Sequence, residues 1–172
     1  MLATSIVVYD HSYHDIEKTL LSLLCYKKTT HKIYIVDNSK HDALKQNIIL
    51  DEKYNYILSP HNLGYGTANN IAIKKSIEDE IKYHLVLNPD VYFDSGVLET
   101  LFEYMESHPE VGLVMPKVLY PDGNTQYLCK LLPTPFDMLL RRFVPFVSWK
   151  EKRNEIYELK FTGYDTEMEV PC

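Results

Sequence analysis

Acidic and amide side chains follow three apolar, strand-like runs of the sequence, at the point where each run stops. Asp10 follows the run at 4–9, Asp37 follows the run at 32–36, and Asp90 follows the run at 84–87. At the end of a strand, one aspartate can accept a hydrogen bond from a base N–H or a ribose hydroxyl. A second can hold Mg²⁺ or Mn²⁺, hard cations that prefer oxygen ligands. Together they could bind a nucleoside diphosphate.

The segment 84–94 carries the clearest of these signals. Its apolar residues at 85–87 are continuous instead of alternating, which is typical of a strand covered on both faces. Pro89 ends the hydrogen-bond ladder because proline has no N–H to donate. We therefore expect a buried central strand that carries Asp90 at its carboxyl end, the edge where open α/β sheets bind ligands.

Each motif also has an ordinary explanation. Asp37, Asn38 and Ser39 are residue types that bond their own backbone and are common in turns after strands. The same holds for Asn88 and Asp90 when they are taken alone. Their joint occurrence at the ends of strands in one sheet favours a functional site over two unrelated turns.

The elements that must position these residues alternate between strand and helix. Strands are expected at 4–9, 32–36, 54–58, 84–87 and 111–115. Helices are expected between them, with apolar faces formed by Ile16, Leu20, Leu23 and Leu24, by Ala72, Ile73 and Ile77, and by Val97, Leu98, Leu101, Phe102 and Met105. A polar helical stretch separates the second and third strands, and Pro121–Asn124 predicts a hairpin. The pattern predicts an α/β domain with a mostly parallel sheet between helices.

Composition excludes several classes of protein. The chain has 172 residues, of which 45% are hydrophobic, enough for one packed domain over 1–172. Its formal net charge is −6, and its 18 Lys and Arg are scattered, so we expect no nucleic-acid partner. Three distant cysteines, Cys25, Cys129 and Cys172, predict neither a disulfide framework nor a zinc site. With no signal peptide or spanning run, we expect a cytoplasmic protein.

Five stretches, taken in order, resemble the family 2 glycosyltransferases, which have the GT-A fold, and especially their rhamnosyltransferase-like branch. They are Ile-Val-Val-Tyr at 6–9, Ile-Val-Asp-Asn-Ser at 35–39, Asn-Leu-Gly-Tyr-Gly-Thr-Ala-Asn-Asn at 62–70, Leu-Asn-Pro-Asp-Val at 87–91 and Leu-Pro-Thr-Pro at 132–135. The resemblance implies a GT-A sheet. It also implies inverting, metal-dependent transfer of a sugar from a nucleoside-diphosphate sugar to a hydroxyl. The acceptor would be a saccharide or a lipid-linked compound, in polysaccharide or glycolipid synthesis.

The resemblance also assigns roles to single residues. Val8 and Tyr9 would line the nucleoside pocket, and Asp37 would contact the base or ribose. The 88–90 stretch takes the place of the family's Asp-x-Asp motif, so Asp90 would hold Mg²⁺ or Mn²⁺ on the donor diphosphate. Asn88 stands where the first Asp is usual, which leaves one neutral ligand. The lower-ranked candidates Asn62 and Gly64 would lie beside the donor sugar and diphosphate.

The general base of the family lies in an acidic motif beyond a Gly-Ala segment, about where this sequence stops. We therefore expect a donor-binding portion, truncated at its C-terminus, that lacks the base. Asp165, Glu167 and Glu169 are interpreted as a solvated tail. Two alternatives stay open: a non-catalytic sugar-nucleotide-binding module and, less favoured, a nucleotide-dependent oxidoreductase. The second rests on Gly64 and Gly66, a poor dinucleotide fingerprint because it follows the third strand instead of the first.

The segment Phe136–Trp149 is richer in large apolar residues than one helix needs and carries Arg141 and Arg142. Core packing is its default explanation. A sharper hypothesis is an interfacial helix that contacts a membrane surface to reach a lipid-linked acceptor. A further one is an apolar face that is left exposed, which would lead to self-association.

Overall fold

The fold is described from a computed structural model, which covers residues 1–48, 53–132, 134 and 153–170. The chain divides into two compact units, Met1–Gly112 and Leu113–Cys172. The segment Phe136–Trp149 lies outside the described residues, so the hypotheses on membrane contact and self-association stay predictions, as does the single domain over 1–172.

The first unit is built on four parallel strands. These are β1 (Leu2–Val8), β2 (His31–Asp37), β3 (Tyr54–Leu58) and β4 (Tyr83–Leu87), in the order β3-β2-β1-β4. In the register, Val8 pairs with Asp37 and Ile6 pairs with Leu87. The predicted parallel sheet is therefore confirmed, and the strand ends that carry the polar residues lie on one edge.

Helices cover both faces of this sheet, as predicted. They are α1 (Tyr13–Leu24), α2 (Tyr65–Glu78) and α3 (Val97–Ser107). Right-handed crossovers place α1, which leads from β1 to β2, and α2, which returns from β3 to β4, on opposite faces. The reversal of strand order between β1 and β4 is a topological switch point, where the crossovers diverge and leave a crevice.

Alternation along β1 divides its side chains between two buried clusters. Leu2, Ile6 and Val8 pack with the stripe of α1 formed by Ile16, Leu20 and Leu23, and with Leu98 of α3. The other face carries Ala3 and Val7, which pack with Ala68 and Ala72 of α2. Leu24 was expected on the buried face of α1 but is 40% exposed. The buried face of α1 includes Thr19 and leaves Leu24 at its margin.

The face that α2 buries differs from the predicted one. Ile77 is 68% exposed, whereas Ala68, Asn69, Ala72 and Ser76 are buried. These small residues let the helix approach β1 closely. The polar ones among them take part in a chain of hydrogen bonds. Ser76 Oγ lies 2.7 Å from His84 Nδ1, and His84 Nε2 lies 2.9 Å from Ser5 Oγ.

The same chain continues to the first turn of α2. The Ser5 hydroxyl donates to Asn69 Oδ1 at 2.7 Å, and Asn69 Nδ2 donates to the Tyr65 carbonyl at 3.1 Å. Because the Ser5 hydroxyl donates to Asn69, His84 Nε2–H is the donor to Ser5 Oγ, and a neutral ring then accepts at Nδ1. The Ser76 hydroxyl is the donor within reach of Nδ1, and it also contacts the Ala72 carbonyl at 3.0 Å. The buried polar groups between α2, β1 and β4 are therefore paired, which avoids the cost of burying them without partners.

Three predicted features need correction. Strand β4 is an edge strand of the described sheet, not a central one, and Val86 is 44% exposed because only β1 pairs with β4 among the described residues. The predicted strand at 111–115 is irregular, with Leu113 74% exposed. The described part of the stretch between β2 and β3 holds one short 3₁₀ helix, Lys45–Asn47, in place of the predicted helical stretch.

The second unit contains the predicted hairpin, formed by β5 (Val118–Leu119) and β6 (Thr125–Gln126) in antiparallel pairing. Gly123 adopts φ +86° in the turn, and its N–H donates to the Tyr120 carbonyl at 2.9 Å. A short 3₁₀ helix, Lys160–Thr162, follows later in the chain. Asp165, Glu167 and Glu169 are exposed, and Lys117 donates to Asp165 at 2.8 Å. Over the described ranges, no helix has the length and apolar character needed to cross a bilayer.

Two buried histidines predict a pH dependence of stability. Burial lowers the pKa of His31 and of His84 from 6.5 to about 4. The unfolded chain takes up these protons as the pH falls through 6.5, whereas the folded chain does so only near 4. The stabilisation is therefore present above about pH 6.5 and is lost towards pH 4, by on the order of 3 kcal/mol per histidine at most.

The measurement is urea unfolding of the wild type and of His31→Gln and His84→Gln at pH 7 and pH 5. Each variant should lose less free energy of unfolding between the two pH values than the wild type does. His14→Gln is the matched control, because that side chain is 91% exposed. Equal losses in the wild type and both variants would contradict the prediction.

Candidate functional site

A cavity of about 450 Å³ opens in the first unit at the carboxyl ends of β1 and β4, at the reversal of strand order. It is lined by Val7, Val8, Tyr9, His11, Asn38, Asn62, Gly64, Tyr65, Asn88, Pro89 and Asp90. A second cavity of about 430 Å³ shares Tyr9, His11 and Asp90 with it and adds Asp10 and Asp15. We call the two together the cleft. Six of the seven predicted site residues line it: Val8, Tyr9, Asn62, Gly64, Asn88 and Asp90.

The seventh, Asp37, lies behind the wall of the cleft. Its side chain is buried, with 1% exposed, and both of its oxygens are occupied. The Ser39 backbone N–H donates to Oδ1 at 2.8 Å, and the Tyr56 hydroxyl donates to Oδ2. Burial, and then this bond to Asp37, raises the pKa of the Tyr56 phenol. Asp37 thus braces the end of β2 in this structure, and its carboxylate does not line the cleft.

Asn38 is the residue of this motif that reaches the cleft, and sequence reasoning did not single it out. Its amide holds the loop before α2: Nδ2 donates to the Gly64 carbonyl, and the Leu63 N–H donates to Oδ1, both at 3.4 Å. Gly64 has φ +76°, a conformation that glycine adopts without strain, and the first turn of α2 follows it. Asn38 therefore fixes where the 62–64 loop meets the cleft.

The ends of β1 and β2 are also tied to each other. The Asp10 N–H donates to Ser39 Oγ at 2.8 Å, and the Asn38 N–H donates to the Val8 carbonyl at 2.9 Å. Asp10 has φ +54°, uncommon for a residue other than glycine, and this turns the chain away from the sheet edge into the start of α1. The turn residues thus bond the backbone, as their ordinary explanation predicts, and they also shape the cleft. Their functional interpretation stays a prediction.

On the opposite wall, the 88–90 turn is anchored by two helices. The Tyr65 hydroxyl, at the start of α2, donates to Asn88 Oδ1 at 2.8 Å. The Thr19 hydroxyl of α1 donates to the Pro89 carbonyl at 2.7 Å. Asp90 follows the anchored pair and is exposed. Within the described part of the chain, no residue bonds its carboxylate, which leaves it available to a ligand.

His11 is a second cleft residue that sequence reasoning did not single out. The structure puts it in the cleft, where the Tyr9 backbone N–H donates to its Nδ1 at 3.0 Å. His14, three residues further along the chain, is 91% exposed. No sequence pattern distinguishes the two, because the contact of His11 depends on the left-handed turn at Asp10.

The donor set suits a cation shared with a ligand better than a cation held by protein alone. The described residues contain no group of three or more His, Cys, Asp and Glu arranged for a metal. Asp90 offers one free carboxylate, and the amide oxygen of Asn88 already accepts from Tyr65. Mg²⁺ commonly takes one or two carboxylates and completes its shell with phosphate oxygens and water. Asp90 fits that pattern.

An open parallel sheet with a cleft at the switch point makes the chain an α/β protein whose candidate binding site lies at the carboxyl edge of the sheet. Residues 5–168 match the model of glycosyl transferase family 2, so the chain belongs to this family.

The most informative relatives are about twice as long as this chain. N-acetylglucosaminyl-diphospho-decaprenol L-rhamnosyltransferase of Mycobacterium tuberculosis is 28% identical over 142 residues, which cover 74% of this chain and 44% of the relative. Low-salt glycan biosynthesis hexosyltransferase Agl10 of Haloferax volcanii is 29% identical over 151 residues, which cover 86% of this chain and 46% of the relative. The chain therefore spans about half the length of the curated relatives it matches.

Solved structures support the fold. The crystal structure of S. aureus TarS 1-349 in complex with UDP matches with a TM-score of 0.52 and 19% identity, covering 95% of this chain and 52% of that one. This likeness confirms the predicted GT-A type of fold.

The glycines before α2 do not form a dinucleotide fingerprint. A Cβ added at Gly64 or Gly66 would meet no protein atom within 4 Å, so neither glycine is required for close packing of helix against strand. Asn69, in the third position of that pattern, is buried and bonded to Ser5. These observations favour helix entry as the role of the glycines and weaken the oxidoreductase alternative.

The buried contact between Asp37 and Tyr56 predicts coupled losses of stability. Asp37→Asn and Tyr56→Phe should each lower the free energy of unfolding by about 1–3 kcal/mol, because the first replaces a charge-assisted hydrogen bond by a neutral one and the second leaves a buried carboxylate oxygen without its donor. The double variant should lose less than the sum of the two, by at least about 0.5 kcal/mol.

Urea unfolding of the four proteins in this cycle gives the coupling. Tyr92→Phe serves as the control, since Tyr92 is 55% exposed. Additive losses would show that the two side chains stabilise the fold independently.

Proposed function

We propose that the chain binds a nucleoside-diphosphate sugar in the cleft and forms the donor-binding part of an inverting, metal-dependent glycosyltransferase. The observation that carries this proposal is the convergence of Tyr9, Asn38, Asn88 and Asp90 at the switch point of a family 2 sheet. These residues come from the ends of three strands, so the fold itself brings them together.

The two ends of the cleft suit the two ends of such a donor. Val7, Val8 and Tyr9 supply an apolar and aromatic wall for the nucleoside. The Asn38 amide, which lines this wall, is the nearest polar group of the β2 motif, while Asp37 supports it from behind. In this proposal Asp37 does not contact the base or ribose directly. It holds the turn that presents Asn38 to them.

The diphosphate belongs at the Asp90 end. Asp90 would hold Mg²⁺ or Mn²⁺ together with phosphate oxygens, and the ion, when bound, neutralises charge that builds up on the leaving diphosphate. The N-terminus of α2 supports an anion here, because Gly64 and Tyr65 line the cleft and the start of a helix carries partial positive charge. Asn62 and Gly64 then lie beside the donor sugar.

Transfer itself is proposed for the whole protein. The mycobacterial relative is named for a diphospho-decaprenol and for rhamnosyl transfer, and the haloarchaeal one for a glycan and hexosyl transfer. These names support a saccharide or lipid-linked acceptor. Asp165, Glu167 and Glu169 are exposed, and we do not assign the general base to them.

Ligand-induced stabilisation tests the donor site. UDP, dTDP and GDP are each added in Mg²⁺, in Mn²⁺ and in EDTA, with NAD in EDTA as the comparison. At about 100 times its dissociation constant, a ligand that binds only the folded chain adds about 2.7 kcal/mol, or roughly 5–10 °C in melting temperature. We expect at least one nucleoside diphosphate to reach this shift, and the shift to be larger with metal.

Asp90→Asn should remove the metal-dependent part of the shift, because it removes the free carboxylate. Asp94→Asn is the matched control: it lies four residues further on, is exposed and does not line the cleft. Stabilisation by NAD in EDTA, with none by any nucleoside diphosphate, would instead support the oxidoreductase alternative.

A further inference from the structure

The amide of Asn88 is held in one orientation by a residue on the facing helix. The Tyr65 hydroxyl donates to Asn88 Oδ1 at 2.8 Å, so the carbonyl side of the amide is occupied by the protein. Asn88 lines the cleft, and no described residue accepts from its Nδ2 group. The two Nδ2 hydrogens are therefore available to an acceptor in the cleft.

His11 is oriented in the same way by a different group. The Tyr9 backbone N–H donates to His11 Nδ1 at 3.0 Å. A ring nitrogen that accepts a hydrogen bond carries no proton, so this contact places the single proton of a neutral imidazole on Nε2. His11 lines both cavities of the cleft, beside Asp90. It is a second oriented N–H donor at the end of the cleft assigned to the diphosphate.

Because of the surrounding negative charge, it matters for diphosphate binding whether position 88 carries an N–H donor or a carboxylate. Asp10, Asp15 and Asp90 line this end of the cleft. Hydrogen bonds from the Ser12 hydroxyl and N–H lower the pKa of Asp15, which keeps its carboxylate ionised at neutral pH. Asn88 lines the first cavity together with Asp90, so a carboxylate at position 88 would add a second negative charge beside the diphosphate, whereas an N–H donor attracts it.

We infer that Asn88 and His11 are two N–H donors to the diphosphate oxygens of the donor, oriented by the Tyr65 hydroxyl and the Tyr9 N–H. The inference rests on the proposed function, because it assigns residues to the same ligand. Its consequence is that the cleft binds the diphosphate partly without metal. Compared with the aspartate that is usual at this position, Asn88 then supplies an N–H donor to phosphate in place of a charged metal ligand.

Isothermal titration separates these contributions. UDP, dTDP, GDP and inorganic pyrophosphate are titrated in EDTA and in Mg²⁺, with uridine, thymidine and guanosine as probes that lack phosphate. In EDTA, Asn88→Asp should weaken binding of the diphosphates by about tenfold or more, because a charge replaces a donor. In Mg²⁺ it should increase the enhancement caused by the metal, because a second carboxylate is added. Binding of the nucleosides should not change.

Two further variants test the orienting contact and the histidine. Tyr65→Phe should weaken diphosphate binding in EDTA by about three- to tenfold, the loss of one oriented hydrogen bond, and should have no further effect in the Asn88→Ala background. His11→Ala should lose about as much, while His11→Gln should retain binding because its amide places an N–H near the position of Nε2. His14→Ala and Tyr92→Phe are matched controls with exposed side chains outside the cleft. Far-UV circular dichroism and urea midpoints show that each variant is folded.

The outcomes separate the inference from the proposed function. If the wild type binds the diphosphates but Asn88→Asp and His11→Ala bind equally well in EDTA, the inference is wrong and the proposed function stands. The same holds if the wild type binds them only with metal. If Tyr65→Phe keeps its full effect in the Asn88→Ala background, Tyr65 acts on the ligand directly and the orienting role is wrong. If the wild type binds neither a nucleoside diphosphate nor pyrophosphate in any condition, both proposals fail together.

Discussion

The close packing of α2 on β1 is the contact on which the rest of the first unit depends. Ala3 and Ser5 of β1 face Ala68 and Ala72 of α2, and these small residues let the backbones approach. Because Ser5 and Asn69 are polar, the contact forms only if their hydrogen bonds are satisfied, and His84 completes the chain. A contact of this kind specifies one position of the helix, whereas larger apolar residues would tolerate several.

The position of α2 in turn determines one wall of the cleft. Its first residue, Tyr65, carries the hydroxyl that orients Asn88, and Gly64 before it is held by the Asn38 amide. A shift of the helix by even one ångström would break contacts at 2.8 Å. The buried chain at the centre of the sheet and the hydrogen bonds at its edge are therefore parts of one arrangement, although they share no residue except Tyr65.

Local signals explain what could be predicted from the sequence. Continuous apolar runs ended by Asp, Asn or Pro located the strands and their carboxyl ends. The family resemblance added Val8, Tyr9, Asn62 and Gly64, and six of the seven predicted site residues line the cleft. The buried face of α2 could not be predicted, because large apolar residues were expected to face the core and Ile77 is exposed instead. His11 and Asn38 were missed for another reason. Their roles depend on backbone groups of Tyr9, Leu63 and Gly64, which a pattern of side-chain types does not contain.

The negative net charge of the chain limits how it could bind an anionic ligand. A protein of formal charge −6 has no general attraction for an anionic ligand, and three carboxylates at one end of the cleft oppose it further. In the proposed function, binding of the diphosphate therefore rests on groups that act at short range: a shared cation at Asp90, the start of α2, and N–H donors oriented by their own hydrogen bonds. Fixed dipoles need no reorganisation when charge grows on the ligand, so they favour a leaving diphosphate more than an intact donor. Under the proposed function, the asparagine at position 88 would therefore affect the electrostatics of the leaving group as well as the number of metal ligands.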